Sequence, residues 1–157
     1  MKNIDNKIEH QKVREIKLSD LTIIKNIEDI CFKEPYSTRI LEFFIKNNFY
    51  PSVLIENRET IVGYAIGLLK FNNYAHVVSI AVHPNYRNLG NGSKLLKSLI
   101  EIFKKNNKSR VQLEVRVSNE PAIKLYKKFN FKIIGIKKEY YINKENAYFM
   151  ELKLDIR

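Results

Sequence analysis

The sequence predicts an α/β domain of mixed α+β type, with a mixed, largely antiparallel sheet, helices on both faces and one parallel strand pair at a ligand site. Three features carry this prediction. Two helix-period stretches open the chain, strand and turn patterns fill its middle, and a strand, a helix and a second strand then follow in crossover order. A helical crossover makes parallel neighbours, whereas strands joined by short turns pair antiparallel. With 157 residues, 45% hydrophobic and 29% charged, the chain can bury a core and is too apolar to stay disordered. It reads as one domain over 1–157, with 1–11 a polar, loose tail.

Residues 13–17 alternate as a short strand, and Ser19 or Asp20 can cap the helix that follows. In that helix Leu21, Ile23, Ile24, Ile27, Ile30 and Cys31 recur at helical spacing. Pro35 closes it, and Ser37 opens a second helix with Ile40, Leu41, Phe44 and Ile45 on one face. A meander comes next: strands at 53–56, 61–71 and 74–82, with a tight turn at Asn72-Asn73. Pro84 takes the chain out of the sheet, and residues 93–106 form a helix with Leu95, Leu96, Leu99, Ile102 and Phe103 inward. Residues 110–117 alternate cleanly, with Val111, Leu113, Val115 and Val117 on one face and Gln112, Glu114 and Arg116 on the other. Asn119 caps a short helix with Pro121 in its first turn, and a final hairpin pairs 131–142 with 147–154.

The stretch Arg87-Asn88-Leu89-Gly90-Asn91-Gly92, between a strand and a helix, is the first with chemistry in it. Two glycines a residue apart let the backbone turn tightly, and the helix start after them presents unpaired N–H groups and a positive dipole end. Such a turn suits an anion, phosphate above all. It is neither a Walker loop nor a dinucleotide fingerprint, because neither glycine spacing is met.

A net charge of +11 favours polyanionic partners, the ribosome or a phosphate-bearing cofactor among them. Zinc-finger spacing, an arginine-rich block and an RNP-type aromatic motif are all missing from the sequence, so sequence-specific reading of nucleic acid is not expected. No apolar run reaches the roughly 18 to 20 residues that span a bilayer, and the first residues lack the apolar stretch of a signal peptide. A cytoplasmic location without membrane attachment is the expectation. Cys31 has no second cysteine to pair with and is expected in the core. No metal site is expected, since Glu114 and His76 alone do not make one.

Three segments together resemble a known family. They are Ser79-Ile80-Ala81-Val82-His83-Pro84-x-Tyr86-Arg87-x-x-Gly90-x-Gly92, Leu113-Glu114-Val115-Arg116-Val117-Ser118-Asn119-x-x-Ala122-Ile123-x-Leu125-Tyr126, and Tyr140-Tyr141 with Asn146-Ala147-x-x-Met150. In this order they resemble the GCN5-related N-acetyltransferases (GNAT), and among these the protein N-terminal acetyltransferases, both the bacterial enzymes for ribosomal-protein alanine and the archaeal ones. The resemblance implies acetyl-coenzyme A as cosubstrate and the N-terminal amine of a protein or peptide as acceptor. It implies that Ile80, Ala81 and Val82 lend strand backbone to the pantetheine arm and acetyl carbonyl. Arg87, Asn88, Leu89, Gly90, Asn91, Gly92 and Ser93 would hold the pyrophosphate, and Asn119 would meet the thiol arm. Two departures stand out: Asn88 replaces a frequent basic residue or Gln, and Asn130-Phe131 replaces a frequent Gly-Phe.

Acetyl transfer from a thioester needs a neutral amine, a stabilised carbonyl oxygen and a proton for the leaving thiolate. The resemblance makes Glu114 the base, His76 a partner in the proton relay and Tyr126 the acid. As residues alone, Glu114 is equally a surface strand carboxylate, His76 a structural histidine and Tyr126 a core aromatic. By resemblance again, Glu34 and Tyr36, with Tyr140 and Tyr141, close over the first residues of the acceptor peptide. Lysine or polyamine acetylation, and a non-catalytic acyl-coenzyme A-binding or ribosome-associated module, stay open as alternatives.

Overall fold

The computed structural model describes residues 10–155, so most of the expected tail, residues 1–9, lies outside the described residues. The strands form one seven-stranded sheet in the order β1-β2-β3-β4-β5-β7-β6, mostly antiparallel, with β4 and β5 as the parallel pair. The chain divides into two compact units. One holds the described residues up to Leu68 together with Val78–Ile102, and the other holds Leu69–Val77 with the described residues from Phe103 onward.

The first unit begins with β1 (Gln11–Glu15), followed by a tight turn at Leu18–Asp20, α1 (Leu21–Cys31) and α2 (Thr38–Lys46). Gln11 therefore belongs to a strand rather than to a tail, paired with Asn57 of β2 (Ser52–Asn57). Asp20 precedes α1, but its carboxylate does not cap the helix. It accepts from the Lys17 amide at 2.7 Å and pairs with Arg14 at 2.8 Å, which fixes how the chain leaves β1. Ser37 does cap α2, its hydroxyl accepting from the Ile40 amide at 3.3 Å. Ile24, Ile27, Leu41 and Phe44 enter the core with Leu54 and Tyr64, whereas Ile23 and Ile30 stay exposed. The inward face of α1 is completed by Glu28, a residue that apolar periodicity passes over. Cys31 is only half-buried: it packs against the margin of the core, in the last turn of α1, with its thiol beside the Val82 carbonyl at 3.4 Å.

β3 (Thr60–Leu69) and β4 (Tyr74–Val82) follow, and α3 (Asn91–Lys105) starts two residues earlier than the sequence pattern suggests. Glycine is required at Gly63: a Cβ there would lie 2.7 Å from the Ala81 carbonyl oxygen.

In the second unit β4 and β5 (Arg110–Arg116) run parallel, with Tyr74, Ala75 and His76 opposite Arg110, Val111 and Gln112. After β5 come α4 (Glu120–Lys128), β6 (Lys132–Lys137) and β7 (Ala147–Lys153). The β5 alternation holds, with Val111, Leu113 and Val115 buried. β6 stops at Lys137, five residues short of the sequence expectation. The backbone turns left-handed at Glu139 (φ 48°), whose amide goes to the Asn146 side chain at 2.9 Å rather than to β7. Residues 138–146 thus form a long, built loop rather than a tight hairpin.

Candidate active site

In the first unit, β4 ends at Val82 and the His83 amide still reaches the Val62 carbonyl at 2.8 Å. A turn at Pro84–Tyr86 then delivers Arg87, whose Nε donates to the Val82 carbonyl at 3.0 Å and whose Nη2 lies 3.6 Å from the Cys31 sulfur. Two residues take positive φ, Asn88 at 59° and Gly90 at 78°. Gly92 is already in the first turn of α3, so the second left-handed residue is Asn88, which asparagine tolerates better than other side chains. Open space lies where a Gly90 Cβ would point. The Asn91 side chain donates to the Tyr86 carbonyl at 2.8 Å and pins the turn, and its Oδ1 is buried without a partner among the described residues. Lys94 makes the first helical hydrogen bond, to Gly90 at 3.1 Å, so the amides before it are those a helix start leaves for a ligand.

The second unit assembles a charged cluster. His76 and Glu114 come from the neighbouring strands β4 and β5, and the His76 Nε2 lies 2.7 Å from Glu114 Oε2. The Lys137 ammonium takes the other oxygen, Oε1, and lies over the Phe149 ring at 4.6 Å. Burial pushes the Glu114 carboxyl up, but hydrogen bonds from His76 and Lys137 and their charges outweigh it and hold it at about 2. The carboxylate stays ionised at any physiological pH. With Nε2 facing Glu114, the other ring nitrogen, Nδ1, is buried without a partner among the described residues.

Tyr126 is buried on α4, 5.7 Å from the Phe131 ring, and burial raises its pKa further above the usual tyrosine range. Its hydroxyl therefore holds its proton until a strong base needs it. Asn119 caps α4, its side-chain oxygen accepting from the Ala122 amide at 3.2 Å.

Loop 138–146 is held from its base. Arg116 donates to Glu145 and Asn143, each at 2.9 Å, and stacks 3.8 Å from the Tyr141 ring centroid. Glu145 also receives the Ser118 amide at 3.1 Å. Tyr140 sits edge-on to Tyr141 at 5.1 Å. Burial raises the Tyr141 phenol to about 12. In the first unit Glu34 is exposed on the loop between α1 and α2, while Tyr36 is half-buried with its ring edge-on to Phe44 at 5.4 Å. The expected residues Glu114, His76, Tyr126 and the tyrosine pair all fall in this unit; Lys137 and Arg116, which join them, were not expected, since they carry no signal beyond being basic residues on strands.

Residues 21–131 match the acetyltransferase (GNAT) family. The chain belongs to the GNAT acetyltransferases. This GNAT chain is 35% identical over 155 residues to an N-alpha-acetyltransferase of Sulfurisphaera tokodaii, covering 91% of the chain and 93% of that relative. Its fold matches the ribosomal-protein-S18-alanine N-acetyltransferase from Escherichia coli with a TM-score of 0.85 and 27% identity, over 94% of this chain and 96% of that one. Ard1 from Thermoplasma volcanium superposes with a TM-score of 0.86 and 26% identity, over 93% and 99% of the two chains. GNAT enzymes take acetyl-coenzyme A, and the turn of the first unit suits its pyrophosphate. The open space at Gly90 and the helix-start amides that precede Lys94 are features an anionic group would complete.

Proposed function

We propose that this acetyltransferase acts on the N-terminal α-amine of proteins, nascent chains or a ribosomal protein, by direct transfer in a ternary complex. Acetyl-coenzyme A supplies an activated acetyl thioester when bound. Arg87 to Ser93 hold its pyrophosphate, and the backbone of Ile80, Ala81 and Val82 lines the arm that carries the thioester. Asn119, fixed by its cap on α4, borders the thiol end.

The observation that carries the chemistry is the pair of His76 and Glu114, 2.7 Å apart. A carboxylate held at about 2 cannot take a proton from an ammonium and keep it. Its charge instead holds the imidazole in one tautomer and stabilises the imidazolium once a proton arrives. The amine proton passes to the pair through water and ends on His76. Tyr126, shielded and protonated, donates to the departing thiolate. A modest base of this kind suits an α-amine: with a pKa near 7.7 to 8.0 against about 10.4 for lysine, its neutral form at pH 7 costs roughly 3 to 4 kcal/mol less. Glu34 and Tyr36 on one loop, and Tyr140 and Tyr141 on the other, receive the first residues of the peptide. The names of two relatives, an N-alpha-acetyltransferase and a ribosomal-protein-S18-alanine N-acetyltransferase, support the same acceptor.

The positive surplus, displayed on exposed Lys97, Lys104 and Lys105 of α3 and Lys124, Lys127 and Lys128 of α4, suits ribosome association in the cytoplasm. No described helix is long and apolar enough to cross a membrane. The test is thiol release from acetyl-coenzyme A with short peptides bearing free or blocked N-termini. Turnover confined to free N-termini is expected, and equal turnover of blocked, lysine-containing peptides would overturn the assignment. Salt-sensitive cosedimentation with ribosomes tests the association.

A further inference from the structure

A buried polar chain runs through the first unit from β4 to the loop between α1 and α2. Glu28 sits on the inner face of α1, one turn after Ile24, and is 1% exposed. A carboxyl at such a position costs free energy unless every oxygen is bonded, and an apolar side chain of similar volume commonly serves stability as well or better. Both oxygens of Glu28 are bonded. Oε1 accepts the Tyr36 amide at 2.8 Å, and Oε2 accepts the Tyr64 hydroxyl. The Tyr64 oxygen in turn lies 3.1 Å from Ser79 Oγ, with Tyr64 fully buried and Ser79 nearly so. The Tyr64 hydroxyl has one proton, so when it donates to Glu28 the serine donates to it.

Both ends of the chain are places where position matters. Ser79 immediately precedes Ile80, Ala81 and Val82, the backbone assigned to the cofactor arm. Tyr36 is in the loop assigned to the acceptor peptide, two residues from Glu34. Packing alone does not require this link, because the Tyr36 ring already rests on Phe44 and Ser37 already caps α2. What the Glu28 bond adds is the path of the backbone between them.

We propose that Glu28, through Tyr64 and Ser79, is a positioning residue that sets the acceptor-binding loop against the cofactor strand. The proposal rests on the N-terminal acceptor reading above. Its chemistry is geometric: the carboxyl touches neither substrate, and its contribution lies in holding the peptide end where attack can occur. A glutamine keeps the whole chain, since its oxygen still accepts the Tyr36 amide and its NH2 donates to Tyr64, which then donates to Ser79. A leucine of similar volume keeps the packing and loses both bonds.

The experiment compares wild type, E28L, E28Q and Y64F in steady-state kinetics against an N-terminal peptide and acetyl-coenzyme A. Melting temperature and amide hydrogen exchange of residues 32–37 are measured alongside. E28L is expected to raise the peptide KM about tenfold, as loss of hydrogen bonds from a buried site would, with the acetyl-coenzyme A KM within twofold. Exchange in 32–37 is expected to speed up in E28L, and E28Q to return both readouts close to wild type. Y64F, which removes one hydroxyl, is expected to raise the peptide KM about threefold and carries the test if E28L does not fold. The proposal is overturned if the variants melt lower with an unchanged peptide KM, if both KM values rise together, or if E28Q behaves like E28L. Wild-type turnover of the peptide is scored first. Its absence fails the acceptor reading, whereas normal wild-type turnover with unaffected variants fails this proposal alone.

Discussion

The Nε2 of His76 lies 2.7 Å from one oxygen of Glu114, and the Lys137 ammonium occupies the other. The carboxylate is thus committed on both sides, and in the proposed mechanism it keeps charge beside the imidazole. E114Q, which keeps the shape and removes the charge, is expected to lower kcat by about a hundredfold to a thousandfold while the acetyl-coenzyme A KM stays within about twofold. H76Q should lower kcat by a similar factor, and the double variant little further, because the two act as one unit. Additive losses in the double variant would show that they work separately.

In the proposed mechanism Lys137 tunes that pair. Its ammonium is one of the two groups that hold Glu114 at about 2, so K137M lets the carboxyl rise toward its ordinary range. A more basic pair can serve a more basic amine. The ratio of kcat/KM for a free N-terminus over a lysine-containing blocked peptide is expected to fall in K137M and to be kept in K137R. The Lys137 side chain is partly solvent-exposed at 42%, so screening limits the stability loss to about 1 kcal/mol, a few degrees in Tm. An unchanged selectivity ratio in K137M would remove the tuning role.

The parallel crossover, the cap at Asn119 and the alternation on β5 were legible because each is written in local pattern: a period, a turn residue, a proline. The same patterns misread α1 and β6. Glu28 is inward although it is ionisable, and no local signal announces it, because its partner Tyr64, bonded in turn to Ser79, is 36 residues away in sequence. Residues 138–142 read as strand by composition, yet the Asn146 side chain captures the Glu139 amide and ends β6. The contact between Glu114 and Lys137 was not legible, since the ion pair spans 23 residues and two strands. The geometry of the turn after β4 was half legible. Its glycines marked it, but the left-handed residue that completes it is Asn88.

Gly63 controls how closely β3 approaches β4. A methyl group there would meet the Ala81 oxygen at 2.7 Å and the Leu95 and Val82 side chains at 3.2 Å, and a backbone carbonyl cannot swing aside as a side-chain end can. G63A is expected to cost about 1 to 3 kcal/mol by overpacking. Because the displaced carbonyl belongs to the strand assigned to the cofactor arm, the acetyl-coenzyme A KM should rise more than the peptide KM. Calorimetry and paired KM measurements check both. A G63A protein with wild-type Tm would contradict the close approach.

Tyr126 offers a cleaner separation of chemistry from packing. Burial holds its hydroxyl protonated, and the ring already packs near Phe131. Y126F keeps the ring and deletes the donor. Turnover is expected to drop by about a hundredfold with Tm within a few degrees of wild type and both KM values little changed. Turnover within threefold of wild type would return Tyr126 to the core.

Glu28 and Glu114 tilt stability in opposite directions on the pH axis. Burial pushes Glu28 up from the ordinary 4.5 to about 7, so between those values the folded chain holds a proton that the unfolded chain has released. Stability is therefore fullest below about 4.5 for this group and falls as pH rises toward 7, by up to about 3 kcal/mol. Burial also pushes Glu114 up, but His76 and Lys137 outweigh it and hold the group at about 2 instead of 4.5. Its contribution is complete above 4.5 and is lost as pH falls from there toward 2. Asp20 beside Arg14, also held below its usual range, leans the same way as Glu114. Urea unfolding across this range is expected to show E28Q free of the decline between pH 4.5 and 7, and E114Q with a shallower loss on the acid side. The slope with pH is the quantity to compare, since each substitution also changes absolute stability. An E28Q slope equal to that of wild type between pH 4.5 and 7 would mean that Glu28 is ionised throughout.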